Sequence, residues 1–190
     1  MEPTTVPPRS SVWMLASRLE DSRSRQFMAL LNSYRIEQAR DLALSTRHWS
    51  RSPLWLKHLG VALQAQGELD QSEALFKHAL STATDRRDIC SALGNLGVVA
   101  FRRKQYERAH ELALTAVEQN PRIVAPYTLG AAAAGKMRDK RLETFWARAI
   151  AIALPNLPSR PVLQFMLRDP DSRDFIQSSA WQSHIAPLLS

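Results

Sequence analysis

Apolar and small residues recur in phase along this chain. Leu59-Gly60 is followed by Ala79, Leu96-Gly97 by Ala116 and Leu129-Gly130 by Ala149, each alanine twenty residues after its leucine. Gly60 to Gly97 spans 37 residues and Gly97 to Gly130 spans 33, and the alanines keep the same two offsets. Self-similarity at this period predicts stacked helix pairs, each burying its apolar face against its neighbours. The glycine marks a face where two helices approach closely, the leucine beside it supplies the buried contact, and the alanine is the small residue of the second helix. These are packing positions, and they predict a binding scaffold rather than a catalyst.

Each unit can be followed further. The first reads LWLKHLGVALQAQGELDQSEALFKHAL, with Gly67 at the turn, Ser72 at a small position and Phe76 at an aromatic one. In the second, Tyr106 opens the second helix, Ala109 and Ala116 take the small positions, and Pro121 ends the unit. Ala113 stands there where an aromatic is usual. In the third, Trp146 is the aromatic, Leu142 replaces a small residue and Pro155 lies near the end. Upstream, Ala39, Ala43 and Thr46 each lie 33 residues before Ser72, Phe76 and Ala79, while Gln26 and Phe27 stand where Leu and Gly are expected. These units resemble the tetratricopeptide repeat family.

The resemblance implies an all-α fold: a right-handed solenoid of antiparallel helix pairs with an irregular N-terminal pair and a C-terminal helical cap. The expected divisions are a flexible N-terminus over 1–10, a degenerate repeat over 11–52, repeats over 53–87, 90–123 and 123–156, and a cap over 157–190, all in one continuous domain. Pro155, Pro158, Pro161 and Pro170 break the repeat pattern, and Phe165, Met166, Leu167, Phe175, Trp181, Ile185 and Leu188 are expected to cover the last repeat. The stretch LRDPDSRDFIQSSAWQSHIAPLL is similar to the closing tail of many bacterial proteins of this family, which implies a bacterial origin.

Composition agrees with helices: 45% of residues are hydrophobic and only 6 are glycine. The opening MEPTTVPPRSSV is polar and proline-rich, without the apolar stretch of a secretory signal or membrane anchor, so a soluble, cytoplasmic protein without a membrane partner is expected. The lone Cys90 is expected to be a small buried filler. His48, His58, His78, His110 and His184 share no metal-ligand spacing, and neither a glycine-rich phosphate loop nor a Gly-x-Ser-x-Gly elbow occurs. No catalytic residue, metal or cofactor is therefore assigned, and the chain is read as a non-enzyme.

Solenoids bind on their concave face, which in the resembled family is lined by the first helix of each pair. Counting from each Leu-Gly pair, the peptide groove is expected to be formed by Lys57, Val61 and Gln64, by Asn95, Val98, Phe101 and Arg102, and by Tyr127, with Leu54, Ser91, Val124, Ala131 and Ala134 on the same face. Its apolar middle and polar margins suit an extended or helical segment of a protein partner. Some members of the family clamp a C-terminal carboxylate with basic and asparagine residues. By that resemblance Lys57 and Asn95 occupy two clamp positions, whereas Val61, Val124 and Thr128 replace the other donors.

Charge adds a second class of function. Lys+Arg number 25 against 18 Asp+Glu, a formal net charge of +7. Arg102, Arg103 and Lys104 in one inter-helix turn, and Lys136, Arg138, Lys140 and Arg141 in another, predict a basic edge that would attract an acidic protein or a nucleic acid backbone. Basic residues at helix C-termini also simply complement the dipole. A third class is a self-associating structural subunit using Trp13, Met14, Phe27 and Met28, and the oligomeric state stays open. The adaptor leads because the repeat supplies a groove.

Overall fold

The computed structural model describes residues 22–156, 166–167 and 169–188. The expected flexible segment 1–10, the opening of the N-terminal repeat with Trp13 and Met14, and Phe165 of the expected cap lie outside the described residues. Within them every regular element is helical. Residues 22–32 form α1, Ile36–Ser45 α2, Pro53–Gln66 α3, Leu69–Thr82 α4, Arg86–Arg102 α5, Tyr106–Gln119 α6, Ala125–Met137 α7 and Lys140–Ala153 α8. Two short helices, Arg173–Ile176 and Ser179–His184, follow. Each helix packs on the next from α2 to α8, α3 and α7 both touch α5, and the short helices return onto α7 and α8. This is a helical solenoid.

The repeat reaches the backbone. Tyr34, Gly67 and Lys104 all have positive φ, at 57°, 88° and 61°. Each ends the first helix of its pair, and the next amide bonds five residues back: Arg35 N to Leu30 O at 2.9 Å, Glu68 N to Leu63 O at 3.0 Å and Gln105 N to Ala100 O at 2.9 Å. Such left-handed caps satisfy the orphan carbonyls of a helix end. In the last pair the positive-φ residue is Arg138, one position later relative to Gly130 than Lys104 is to Gly97. Side-chain N-caps occur at one second helix and one first helix: Asp139 caps α8 by accepting from Arg141 N at 2.8 Å, and Asp85 caps the long α5 through Asp88 N at 2.8 Å.

Close helix approach follows the Leu-Gly pairs. Ser72 Oγ donates to Gly60 O at 2.9 Å, holding α4 on α3, and the buried Phe76 ring lies over Gly60. Trp146 lies over Gly130 in the same way. At Gly97 the covering group is Leu129 Cδ2 from α7 of the next unit. That explains Ala113: a neighbouring repeat fills the space an aromatic would occupy, and Ala113 itself is fully buried. Cys90 is likewise fully buried, and burial pushes its thiol pKa up.

The N-terminal pair packs through an aromatic cluster. Phe27 stacks on His58 at 4.4 Å between centroids and meets Trp55 edge-on at 6.3 Å. Phe27 is fully buried, which corrects its assignment to an exposed self-association face, while Met28 is half-exposed. At the other end Met166, Phe175, Trp181 and Ile185 are buried against the last repeat, whereas Leu167 and Leu188 are largely exposed and do not act as covers. The Cβ that Gly135 lacks would lie 2.6 Å from Phe175 N, so only glycine lets the Arg173–Ile176 helix sit this close to α7. Lys136 Nζ to Asp174 Oδ2, 2.9 Å, ties the same two elements.

Candidate functional site

Between α5 and α7 lies an open cavity of about 420 Å³. Helix α5 supplies Val98, Phe101 and Arg102; α7 with its preceding residue supplies Val124, Ala125, Thr128, Leu129 and Ala132; Asp169 and Asp171 complete the lining. Spacings of three and four residues put each set on one helical stripe. The floor is mostly apolar. Phe101 is braced from behind by Tyr106, edge-on at 5.2 Å, and Thr128 turns its hydroxyl hydrogen back to Ala125 O at 2.9 Å, leaving its methyl for the cavity.

The two aspartates arrive from outside the repeats. Asp169 accepts from Asp171 N at 3.2 Å and from Ser172 Oγ at 2.8 Å, fixing a tight turn over Pro170–Ser172. Gly135, Phe175 and the Lys136–Asp174 pair hold the following helix against α7, and the turn is thereby set over the concave end of α7. Arg102 Nη1 donates to Gln64 O at 2.6 Å, so the one cation among the described lining residues directs one donor to the preceding repeat.

The residues expected in the groove are divided by the structure. Val98, Phe101 and Arg102 line the cavity. Lys57 does not: it is 7% exposed, and its Nζ lies 2.5 Å from Asp88 Oδ1 of the next repeat. Its charge is used between repeats, which removes it as a free donor for a carboxylate. Val61 packs with Phe76, Leu96 and Val99 in the α3–α5 interface. Gln64 is buried, and its Nε2 finds no hydrogen-bond partner among the described residues. Tyr127 is buried too, donating to Pro121 O at 3.1 Å with its ring edge-on to Trp146 at 6.3 Å. Asn95 is half-buried and outside the lining. Thr128, Leu129 and Ala132 were not among the expected contacts. The cavity lies between facing flanks of adjacent first helices, so α7 presents a different stripe from α5, and counting from the Leu-Gly pair reaches only Val124 of it.

The basic edge is partly occupied within the protein. Arg103 is paired with Asp70 and Glu73 of α4, and Arg108 and Lys77 also reach Glu73, both at 3.0 Å. Hydrogen bonding from Arg103, then from Lys77, holds the Glu73 carboxyl down at about 2. Lys136 is paired with Asp174, and Arg102 turns to the cavity. Lys104, Arg138, Lys140 and Arg141 remain exposed. Among the described residues no three His, Cys, Asp or Glu side chains are grouped to hold a metal ion, and no helix is long and apolar enough to cross a membrane.

Stacked antiparallel pairs with a groove between first helices define a helical-repeat protein. The family model described as tetratricopeptide repeat matches residues 51–121. Among solved structures, it is similar to YrrB, described as a TPR protein with an unusual peptide-binding site, at 12% identity and a TM-score of 0.50, covering 88% of this chain and 87% of that one. It is also similar to MamA AMB-1, at 16% identity and a TM-score of 0.49, covering 89% and 98%. Comparison with curated proteins finds no match.

Proposed function

We propose that the protein is a non-catalytic adaptor that holds a peptide segment of a partner protein in the cavity between α5 and α7. The observation that carries this reading is the apolar lining of Val98, Phe101, Leu129 and Ala132 around about 420 Å³ of open space. That size falls within the range of roughly 300–1,000 Å³ usual for binding pockets. Thr128 keeps its own hydroxyl satisfied, so apolar side chains of the ligand supply most of the attraction, by removal of their surface from water. Carboxylates at the rim disfavour a phosphate backbone at this site.

Panning a random peptide library on the full chain tests the proposal. Enriched peptides are expected to bind wild-type protein and the exposed-edge variant Lys140→Ala alike, and to lose binding to Val98→Trp, in which a half-buried wall residue fills the cavity. Enriched ligands that tolerate Val98→Trp and are displaced by moderate salt would place binding on the charged edge instead.

A further inference from the structure

The cavity carries the opposite sign of charge from the chain. The protein has a formal net charge of +7, yet among the described residues the lining holds two carboxylates, Asp169 and Asp171, against one cation, Arg102. Arg102 is turned to the Gln64 carbonyl at 2.6 Å. Asp169 is partly satisfied by its own turn, whereas Asp171 is exposed. Both sit on a turn held over α7 by the buried Phe175 and the 2.9 Å Lys136–Asp174 pair. The concave floor of repeats two and three therefore ends at two carboxylates, with Arg173 on the outer side of Asp169.

From this juxtaposition we infer that the occupant of the groove is a cationic-apolar peptide: a segment whose apolar side chains enter between Val98, Phe101 and Leu129 while an adjacent lysine or arginine meets Asp171 and Asp169. The inference rests on the groove being a peptide site. It adds the chemistry of the segment and makes the C-terminal turn, rather than the repeats alone, the element that selects it. Apolar burial supplies affinity with little regard to sequence, and the rim charges supply discrimination between partners. An acidic segment would face two carboxylates, and Arg102 directs one of its donors to the Gln64 carbonyl. The same two carboxylates disfavour a phosphate backbone in the groove.

The test uses three labelled synthetic octapeptides that differ only at two central positions: SLLKRLLS, SLLQQLLS and SLLEELLS, titrated against the full chain by fluorescence anisotropy. Exposed pairs of this kind change affinity by up to about fivefold each, so at roughly 0.01 M salt the basic probe is expected to bind about fivefold tighter than the neutral one, and the acidic probe weaker still. At roughly 1 M salt the three should converge. Asp171→Asn should cut the preference about twofold, and Asp171→Lys should reverse it; both replace an exposed side chain and are checked by melting. Equal binding of basic and neutral probes, both lost in Val98→Trp, would leave the groove standing and overturn its preference for cations. Basic-probe binding that is indifferent to Asp171→Lys would also overturn it. Failure of all three probes to bind wild-type protein would overturn the groove and the preference together.

Discussion

Gly130→Ala adds one methyl group where the structure has no room for it. The new Cβ would lie 2.1 Å from Cζ2, 2.2 Å from Cε2 and 2.6 Å from Cη2 of Trp146. Carbon atoms in contact prefer about 3.5–4.0 Å, so the indole or the helix must move by more than about 1 Å. Trp146 is poorly able to yield: it is fully buried, donates from Nε1 to His110 Nδ1 at 3.0 Å and is braced edge-on by Phe145 at 5.2 Å. Overpacking costs about 1–3 kcal/mol, and loss of the indole hydrogen bond adds about 1 kcal/mol. The gain in helix propensity from glycine to alanine, about 1 kcal/mol, works the other way. A net loss of about 2 kcal/mol corresponds to roughly 4–8 °C in a chain of this length. Gly94→Ala is the internal control, because its Cβ would meet only Pro126 Cγ at an ordinary 3.8 Å, and it should gain about 1 kcal/mol from propensity alone. Gly97→Ala should fall between them, since the atom in the way is the far end of the flexible Leu129 side chain, 2.5 Å off. Thermal melts followed by far-UV circular dichroism give the order directly. If Gly130→Ala melted at or above the wild-type temperature, the close packing of α8 on α7 would be refuted.

Acid should destabilise the protein in two windows. Burial, then the Lys57 charge, lowers the His58 pKa from 6.5 to about 4. Unfolded chains therefore bind the extra proton first, and stability present above about pH 6.5 is lost as pH falls toward about 4. Glu73, lowered from 4.5 to about 2, contributes stability above about pH 4.5 that is lost on the way to about 2. Urea melts against pH should show both slopes, with Glu73→Gln flattening only the lower one. Gly135→Ala should push the Arg173–Ile176 helix off α7, so hydrogen exchange is expected to accelerate over residues 173–184 while α3 and α4 keep their protection. Lys57→Met should change affinity for a groove peptide by less than about twofold, because the ammonium is held by Asp88; a large loss in the binding isotherm would return Lys57 to the site.

The packing pattern was legible because it is local. A small residue, a leucine and an aromatic at fixed spacing place Gly60 against Phe76 and Gly130 against Trp146 within single helix pairs. The binding face was less so, since it depends on how neighbouring helices are rotated about their axes. Tyr127 shares its offset from the Leu-Gly pair with Lys57, yet both turn inward, one to Pro121 and the other to Asp88. The Lys57–Asp88 pair joins residues 31 apart, a separation at which no pattern along the chain identifies partners. Asp169 and Asp171 were visible only as part of a closing tail. That they face the groove depends on the close seat at Gly135, a glycine outside the repeating set. The basic edge shows the opposite limit: its residues do occur in adjoining turns, but Glu73 draws Arg103 and Arg108 into an inter-repeat cluster that a count of charges does not reveal.

An amide chemical-shift titration of the labelled full chain with SLLKRLLS shows whether a peptide segment seats between α5 and α7. Saturable shifts concentrated at Val98, Phe101, Arg102, Thr128, Ala132 and Asp171 are expected. Shifts centred on Lys104, Arg138 and Lys140, with the cavity residues unmoved, would place binding on the basic edge and leave the cavity without a ligand.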